Sequence, residues 1–266
     1  MSIDAYKRVE KKLEHEEKTY ETQQLMKEKR SEEYEVLEEV FDRSTLMTIY
    51  ELMNKGVIAE IHGVVKAGKE SRIYWGVSQE GEDLAIKIYL TVSAEFRKGM
   101  LPYILGDPRF KGLRRSSRAL IFAWAQKEFK NLHLAYEAGV RVPKPIAVLN
   151  NVLVMEFIGE EGISAPTLRE AEIKRPKSIY QTLISYVDKL YKEAKLVHGD
   201  LSEYNVMIWE GEPVIFDVSQ AVSIRHPNAI QYLVRDLNNL NRFFRRLGVT
   251  VTPVDDLLRR ITGGQI

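Results

Sequence analysis

The 266 residues include no cysteine, which excludes a disulfide framework and any thiolate metal site and fits a reducing compartment. No apolar run approaches the roughly eighteen residues that a membrane-spanning helix needs, and the N-terminus is charged rather than signal-like. Net charge is equally scarce, with 39 Lys+Arg against 38 Asp+Glu. Bulk electrostatics therefore argues neither for nor against nucleic acid, and only local clusters carry meaning. These absences describe a soluble, cytoplasmic protein with no membrane partner. Its length suits one two-lobed domain or two small ones, with enough chain to bury a sizeable core.

What is present is concentrated in one stretch. Leu196-Val197-His198-Gly199-Asp200-Leu201-Ser202-Glu203-Tyr204-Asn205 delivers a His-x-Asp from an apolar run, turns, and reaches an Asn. Asp217 follows at the end of Val214-Ile215-Phe216. Protein kinases use this layout: the first Asp takes the proton of the attacking hydroxyl, while the Asn and the second Asp hold Mg²⁺ on the phosphates. Asp200 is then the candidate base, with Asn205 and Asp217 the candidate metal ligands. Hard Mg²⁺ favours a few oxygen donors supplemented by substrate phosphates. By composition alone, His-x-Asp-x-x-x-x-Asn is expected roughly 0.006 times in this chain, so turn formation after a buried strand is the weaker explanation.

Upstream, Met1 to Asp42 has almost no Gly or Pro and few strong apolar positions. It reads as a charged helical extension, either a docking arm or a solvated helix. From Arg43 a helix runs through Leu46, Ile49, Leu52 and Met53, and strands follow around Lys66-Ala67-Gly68-Lys69-Glu70-Ser71. A Gly-containing turn between strands can lay backbone amides over phosphates, although a plain hairpin explains one glycine equally well. Lys69, Glu70 and Ser71 are its candidate nucleotide contacts. Leu84-Ala85-Ile86-Lys87-Ile88-Tyr89 puts a lysine inside an apolar strand. A buried ammonium requires an anion, so Lys87 is expected on the nucleotide phosphates and on a Glu from the next long helix.

That helix spans Ala119 to Ala138 and offers Glu128 at its inner edge; Gln126 and Lys127 are expected elsewhere. Between them, Thr91 to Arg118 reads as a flexible flap ending in Lys111, Arg114, Arg115 and Arg118. A hairpin over Ile146–Val148 and Val152–Met155 leads out through Glu156-Phe157-Ile158, where the backbones of Glu156 and Ile158 suit an adenine edge. Ser178 to Ala194 is an amphipathic helix, and the hairpin after the catalytic loop should carry Asn205 and Asp217 at its two ends. The expected domains are 1–42, an N-lobe over 43–158 and a C-lobe over 159–266.

The segments VVKAGKESRIY, AIKIY, KEFKNL, VLVMEFIGE, LVHGDLSEYNVMI and VIFDVSQAVSIRHPNA together resemble the RIO atypical serine/threonine kinases from about Ser44 onward. DVSQAV with HPNA soon after resembles the first RIO subfamily, and its archaeal members in particular. The resemblance implies an α+β, bilobal protein-kinase-like fold, reduced to a minimum without the conventional activation loop or peptide-binding subdomains. It implies ATP with Mg²⁺, or Mn²⁺ in its place, and catalysis by Lys87, Asp200 and Asp217. It further implies autophosphorylation on Ser, a transient aspartyl-phosphate on Asp217, ATPase activity, and a partner in the maturing small ribosomal subunit, through its rRNA or a ribosomal protein. Two departures stand out. Lys66 to Tyr74 lacks the hydroxyls usual at the start of the phosphate loop, for which Lys66, Ser71 and Arg72 could supply donors, and Gly199 replaces a common Ala, a change that looks harmless. The competing readings are a catalytically silent kinase-like module that binds ribosomal RNA or protein, and a small-molecule phosphotransferase of the aminoglycoside or choline type, which shares the catalytic motif but not DVSQ.

Overall fold

The computed structural model describes residues 41–90, 94–104, 107 and 116–264. The chain divides into two compact units, Met1–Met47 and Thr48–Ile266. Of the first unit, the described part is the entry into helix α1 (Arg43–Asn54). Asp42 caps it: Oδ1 accepts from the amides of Ser44 and Thr45 at 3.0 and 3.1 Å, satisfying donors that the first turn leaves unpaired. The charged extension before residue 41, and the docking arm expected there, lie outside the described residues.

The second unit begins with an antiparallel sheet of β1 (Glu60–Ala67), β2 (Ser71–Val77), β3 (Asp83–Tyr89), β4 (Pro145–Leu149) and β5 (Val152–Glu156), in the order β1-β2-β3-β5-β4. β3 and β5 are central and covered on both faces, so they read as almost continuous apolar runs rather than as alternating ones. Lys87 breaks that run, opposite Ile73 on one side and Leu153 on the other.

Helix α2 (Ala94–Ile104) follows β3, and the long helix α3 (Ser117–Glu137) packs on β4 and β5. α3 starts two residues before its expected first residue because the Ser116 hydroxyl accepts from the Ala119 amide at 3.1 Å. Within the expected flap, the part over Ala94–Ile104 is helical and packed, and 91–93, 105–106 and 108–115 lie outside the described residues. Met100 and Tyr103, one turn apart, are both buried. The Tyr232 hydroxyl donates to the Pro102 carbonyl at 3.3 Å, and Arg235 Nη2 donates to the Tyr103 hydroxyl at 3.0 Å. Gly99 and Pro102 mask the helix in the sequence, and tertiary contacts outweigh their low propensity. Of the basic cluster, Arg118 is exposed, while Lys111, Arg114 and Arg115 lie outside the described residues.

Beyond β5, the short pair β6 (Gly159–Glu160) and β7 (Ile163–Ser164) leads into a helical half made of α4 (Pro176–Lys192), α5 (Ala229–Arg246) and α6 (Val254–Thr262). Between α4 and α5 lie β8 (Leu196–Val197), paired with β11 (Val222–Ser223), and the hairpin of β9 (Val206–Trp209) with β10 (Glu212–Ile215). One hydrophobic cluster runs through both halves, from Leu132 and Leu153 to Leu183, Leu237 and Phe244. Among the described residues, no helix is long and apolar enough to cross a membrane.

Candidate active site

The cleft between the sheet half and the helical half has two connected parts. One is walled mostly by apolar side chains, among them Val65, Ile73, Ala85, Met155 and Phe216, and is bordered by Glu156, Phe157 and Ile158. The other shares Lys66, Ile73, Met155 and Phe216 with it and adds Gly68, Ser71, Lys87 and Asp217. An apolar slot opening onto a charged one matches a flat base followed by phosphates.

Lys87 meets the anion that its burial demands. Its Nζ donates to both oxygens of Glu128, at 2.8 and 2.9 Å, and lies 3.7 Å from Asp217 Oδ1. Burial would lower the lysine, but the charges of Asp217 and Glu128 outweigh it and raise its pKa above the ordinary value. Glu128, with none of its surface exposed, is pushed by burial up to about 7 against the pull of Lys87. Asp217, whose side chain is 37% exposed, goes the other way. Partial burial would raise it, yet Lys87 and the donors of Ser219 hold it down to about 2. It is a carboxylate at any physiological pH.

The loop from His198 to Asn205 ends beside Phe216, the residue before Asp217. Asn205 Nδ2 donates to the Asp200 carbonyl at 2.7 Å and to its Oδ2 at 3.3 Å, which leaves Asn205 Oδ1 as the amide's remaining donor atom for a cation. The Phe216 amide donates to the Asn205 carbonyl at 3.2 Å, so the β9–β10 hairpin brings Asn205 next to Asp217 as expected. Burial raises Asp200 above the ordinary value, with Arg235 and Asn205 pulling back. Gly199 has φ of 81°, in the left-handed region where a Cβ is strained, and glycine suits it better than the alanine common at this place.

Among the described residues, no group of three or more His, Cys, Asp or Glu gathers around one point. An ion here therefore needs phosphate oxygens to complete its shell. Asn205 and Asp217 supply hard oxygen donors of the kind that suits Mg²⁺ on a triphosphate, so the donor set fits the implied metal.

The other expected contacts divide. Ser71 lines the charged part of the cleft, and the Gly68 amide closes the turn on the Ser71 carbonyl at 2.9 Å. Glu70 is exposed and lines neither part, though partial burial and the charge of Asp217 raise its pKa above the ordinary value. Lys69 is exposed and lines neither part, so the structure does not bring it to the site. Lys66 takes that place, its Nζ 5.4 Å from the centroid of the Phe216 ring. Ile158 borders the apolar slot. Glu156 does too, with its side chain committed elsewhere: both oxygens accept from Arg141, at 2.7 and 2.8 Å, and one also from the Lys144 amide at 2.9 Å.

Several supporting residues escape a reading of the sequence. Asp236 of α5 is 1% exposed and accepts from the amides of Gly199 and Leu201, both at 2.8 Å, on either side of Asp200. Burial pushes it up to about 7 against those two donors. Asn239 Nδ2 donates to the Leu201 carbonyl at 3.1 Å. An acid on the apolar face formed by Leu233, Leu237 and Leu240 is the available signal. His198 is buried, and burial lowers it to about 4, so it stays neutral. Lys127, expected to fall elsewhere, is 2% exposed and donates to the Ser219 carbonyl at 2.6 Å.

A family model for the RIO domain matches residues 72–257. The chain belongs to the RIO kinase family. It is 41% identical to the RIO-type serine/threonine-protein kinase Rio1 of Haloferax volcanii over 240 residues, covering 90% of this chain and 82% of that one. It is 39% identical to the Rio1 of Methanocaldococcus jannaschii, covering 94% and 85%. The human serine/threonine-protein kinase RIO1 is 37% identical over 86% of this chain, which spans 41% of the human protein. Among solved structures, the Rio2 kinase–ADP/Mg²⁺–phosphoaspartate complex of Chaetomium thermophilum superposes with a TM-score of 0.63 at 27% identity, covering 84% of this chain and 67% of that one. This RIO kinase is thus an atypical serine/threonine protein kinase of the Rio1 type, with the kinase-like α+β fold expected.

Proposed function

We propose that this RIO kinase binds Mg²⁺·ATP with adenine in the apolar slot against the backbones of Glu156 and Ile158, and phosphates between the Gly68–Ser71 turn and Lys87. Glu128 holds Lys87 in place, Asn205 and Asp217 are the cation ligands, and Asp200 is the base. Bound Mg²⁺ neutralises phosphate charge as it is redistributed; Mn²⁺, with similar preference for oxygen donors, serves in its place. The observation that carries the reading is the convergence of Lys87, Glu128 and Asp217 at the charged end of one cleft.

Two outcomes for the γ-phosphoryl group fit this arrangement. In transfer to serine, including serines of the kinase itself, the hydroxyl oxygen forms the new bond to phosphorus, ADP leaves, and Asp200 takes the hydroxyl proton. In the second, an Asp217 oxygen forms that bond as ADP leaves. Water then cleaves the acyl phosphate to inorganic phosphate, Asp200 taking a proton, and the cycle is an ATPase. The phosphoaspartate of the Chaetomium Rio2 complex supports the second. By family, the setting we propose is maturation of the small ribosomal subunit, with precursor rRNA or a ribosomal protein as partner.

Incubation with γ-labelled ATP and Mg²⁺ tests this. Acid-stable label on serine is expected for transfer and hydroxylamine-labile label, absent in Asp217→Asn, for the aspartyl route. Asp200→Ala should lower turnover about 10²–10⁴-fold while still binding nucleotide; undiminished turnover in that variant would remove Asp200 from the mechanism. Co-sedimentation with precursor small-subunit particles, compared with mature ones, tests the partner.

A further inference from the structure

The loop after Asp217 is held by a helix rather than by its own turn chemistry alone. Asp217 Oδ1 accepts from the Ser219 amide at 3.1 Å, and the carbonyl of the same residue accepts from Lys127 Nζ at 2.6 Å. One turn further along α3, Asn131 Nδ2 donates to the Val218 carbonyl at 2.9 Å and to the Ala221 carbonyl at 3.1 Å. The carbonyls of Val218, Ser219 and Ala221, all behind Asp217, are thereby addressed from one helix. Lys127 is 2% exposed and Asn131 is fully buried. The Lys127 ammonium also lies 4.5 Å from the centroid of the Trp124 ring, a contact that helps keep a cation in a dry place.

A lysine donating to a carbonyl gains little net stability where a methionine would pack without desolvating a charge. Its presence here points to a positional task. We infer that Lys127 and Asn131 are positioning residues that lock the metal loop, fixing Asp217 for the cation through the Ser219 peptide. Glu128, between them, holds Lys87 from the same helix, so α3 sets both the lysine that meets the phosphates and the carboxylate that meets the metal. The loop is preorganised by the helix, with no need of a phosphorylated activation segment to order it. The inference rests on the assignment of Asp217 as a metal ligand.

Calorimetric binding of the non-hydrolysable ATP analogue AMP-PNP, in EDTA and in saturating Mg²⁺, tests it without relying on turnover. In the unaltered kinase Mg²⁺ should tighten binding, and Asp217→Asn should abolish that gain. Lys127→Met and Asn131→Leu should each reduce the Mg²⁺-dependent gain at least tenfold while affinity in EDTA stays within twofold. Leu132→Ala, which removes core packing from the same helix, should lower the melting temperature and leave the gain intact. A full gain in Lys127→Met and Asn131→Leu overturns the positioning role, as does an equal loss in Leu132→Ala, which would make it a matter of stability alone. If the unaltered kinase shows no gain, the failure lies with the metal assignment instead.

Discussion

Helices α3 and α5 support the two sides of the cleft by different means. Besides the donors that Lys127 and Asn131 give to the loop after Asp217, α3 presents charge: Glu128 pairs with Lys87 side chain to side chain, and the pair faces Asp217. α5 mainly presents acceptors and donors to main chain: Asp236 takes two amides flanking Asp200, and Asn239 gives to the carbonyl of Leu201, the residue that follows Asp200. The first arrangement fixes an ammonium that a phosphate can share. The second fixes the direction of a peptide, and so where Asp200 points, without adding a charge to the cleft. The carboxylate of the buried ion pair comes from α3 alone and the two amide contacts flanking Asp200 from α5 alone, so loss of Glu128 and loss of Asp236 should fail differently.

Glu128→Ala should be the most damaging test of that contrast. Removing one partner of a buried ion pair leaves Lys87 poorly compensated and costs about 3–5 kcal/mol. Chemical denaturation should show that loss, and calorimetry a matching loss of nucleotide affinity. Asp236→Ala strands two buried amides, at about 1–3 kcal/mol each, and should depress turnover while nucleotide affinity in the surviving folded fraction is kept; equal loss of both would erase the distinction between the two helices. Asn239→Ala removes the hydrogen bond to the Leu201 carbonyl, for about 1 kcal/mol, together with an exposed one from Arg242, and its effect should fall on turnover rather than on KM for ATP.

Two smaller effects sharpen the geometric side. If Asp200 is the base, as proposed, it must be ionised, so the rate should fall as pH drops through its pKa, which lies above the ordinary aspartate value of 3.8. Arg235 pulls that pKa down, so Arg235→Ala should move the acid limb of the pH–rate profile to higher pH; a limb that stays in place would show that Arg235 has no hold on the base. His198 runs in the opposite sense. Its folded pKa of about 4 lies below the ordinary 6.5, so the unfolded chain binds more protons between these values and stability is lost as pH falls through that window. Melting temperatures of His198→Gln against the unaltered kinase should converge toward pH 4 relative to their difference at pH 7.

Much of the cleft is legible in the order of residues. A lysine inside Leu84–Tyr89 has to find an anion, and Glu128 is that anion. The hairpin that unites Asn205 with Asp217 follows from two short apolar runs and a turn. The sequence misleads where local propensity and tertiary packing disagree. Gly99 and Pro102 argue against a helix, yet burial of Met100 and Tyr103 forms one. Lys127 is expected away from the inner edge that Glu128 occupies, because a helical position reveals its face and says nothing of which carbonyl waits there. Lys69, beside the turn glycine, reads as a phosphate contact, but the strand register turns Lys66 to the cleft instead.

The sequence by itself determined which groups can do chemistry: a buried amine, two carboxylates and an amide at spacings that a strand, a loop and a hairpin fix locally. Only the tertiary structure decided what holds them, since Asp236, Asn239, Asn131 and Lys127 act on backbone atoms 35 to 92 positions away. Every residue carries a backbone carbonyl and every residue but proline an N–H, so no pattern of side chains announces which ones a distant residue will hold.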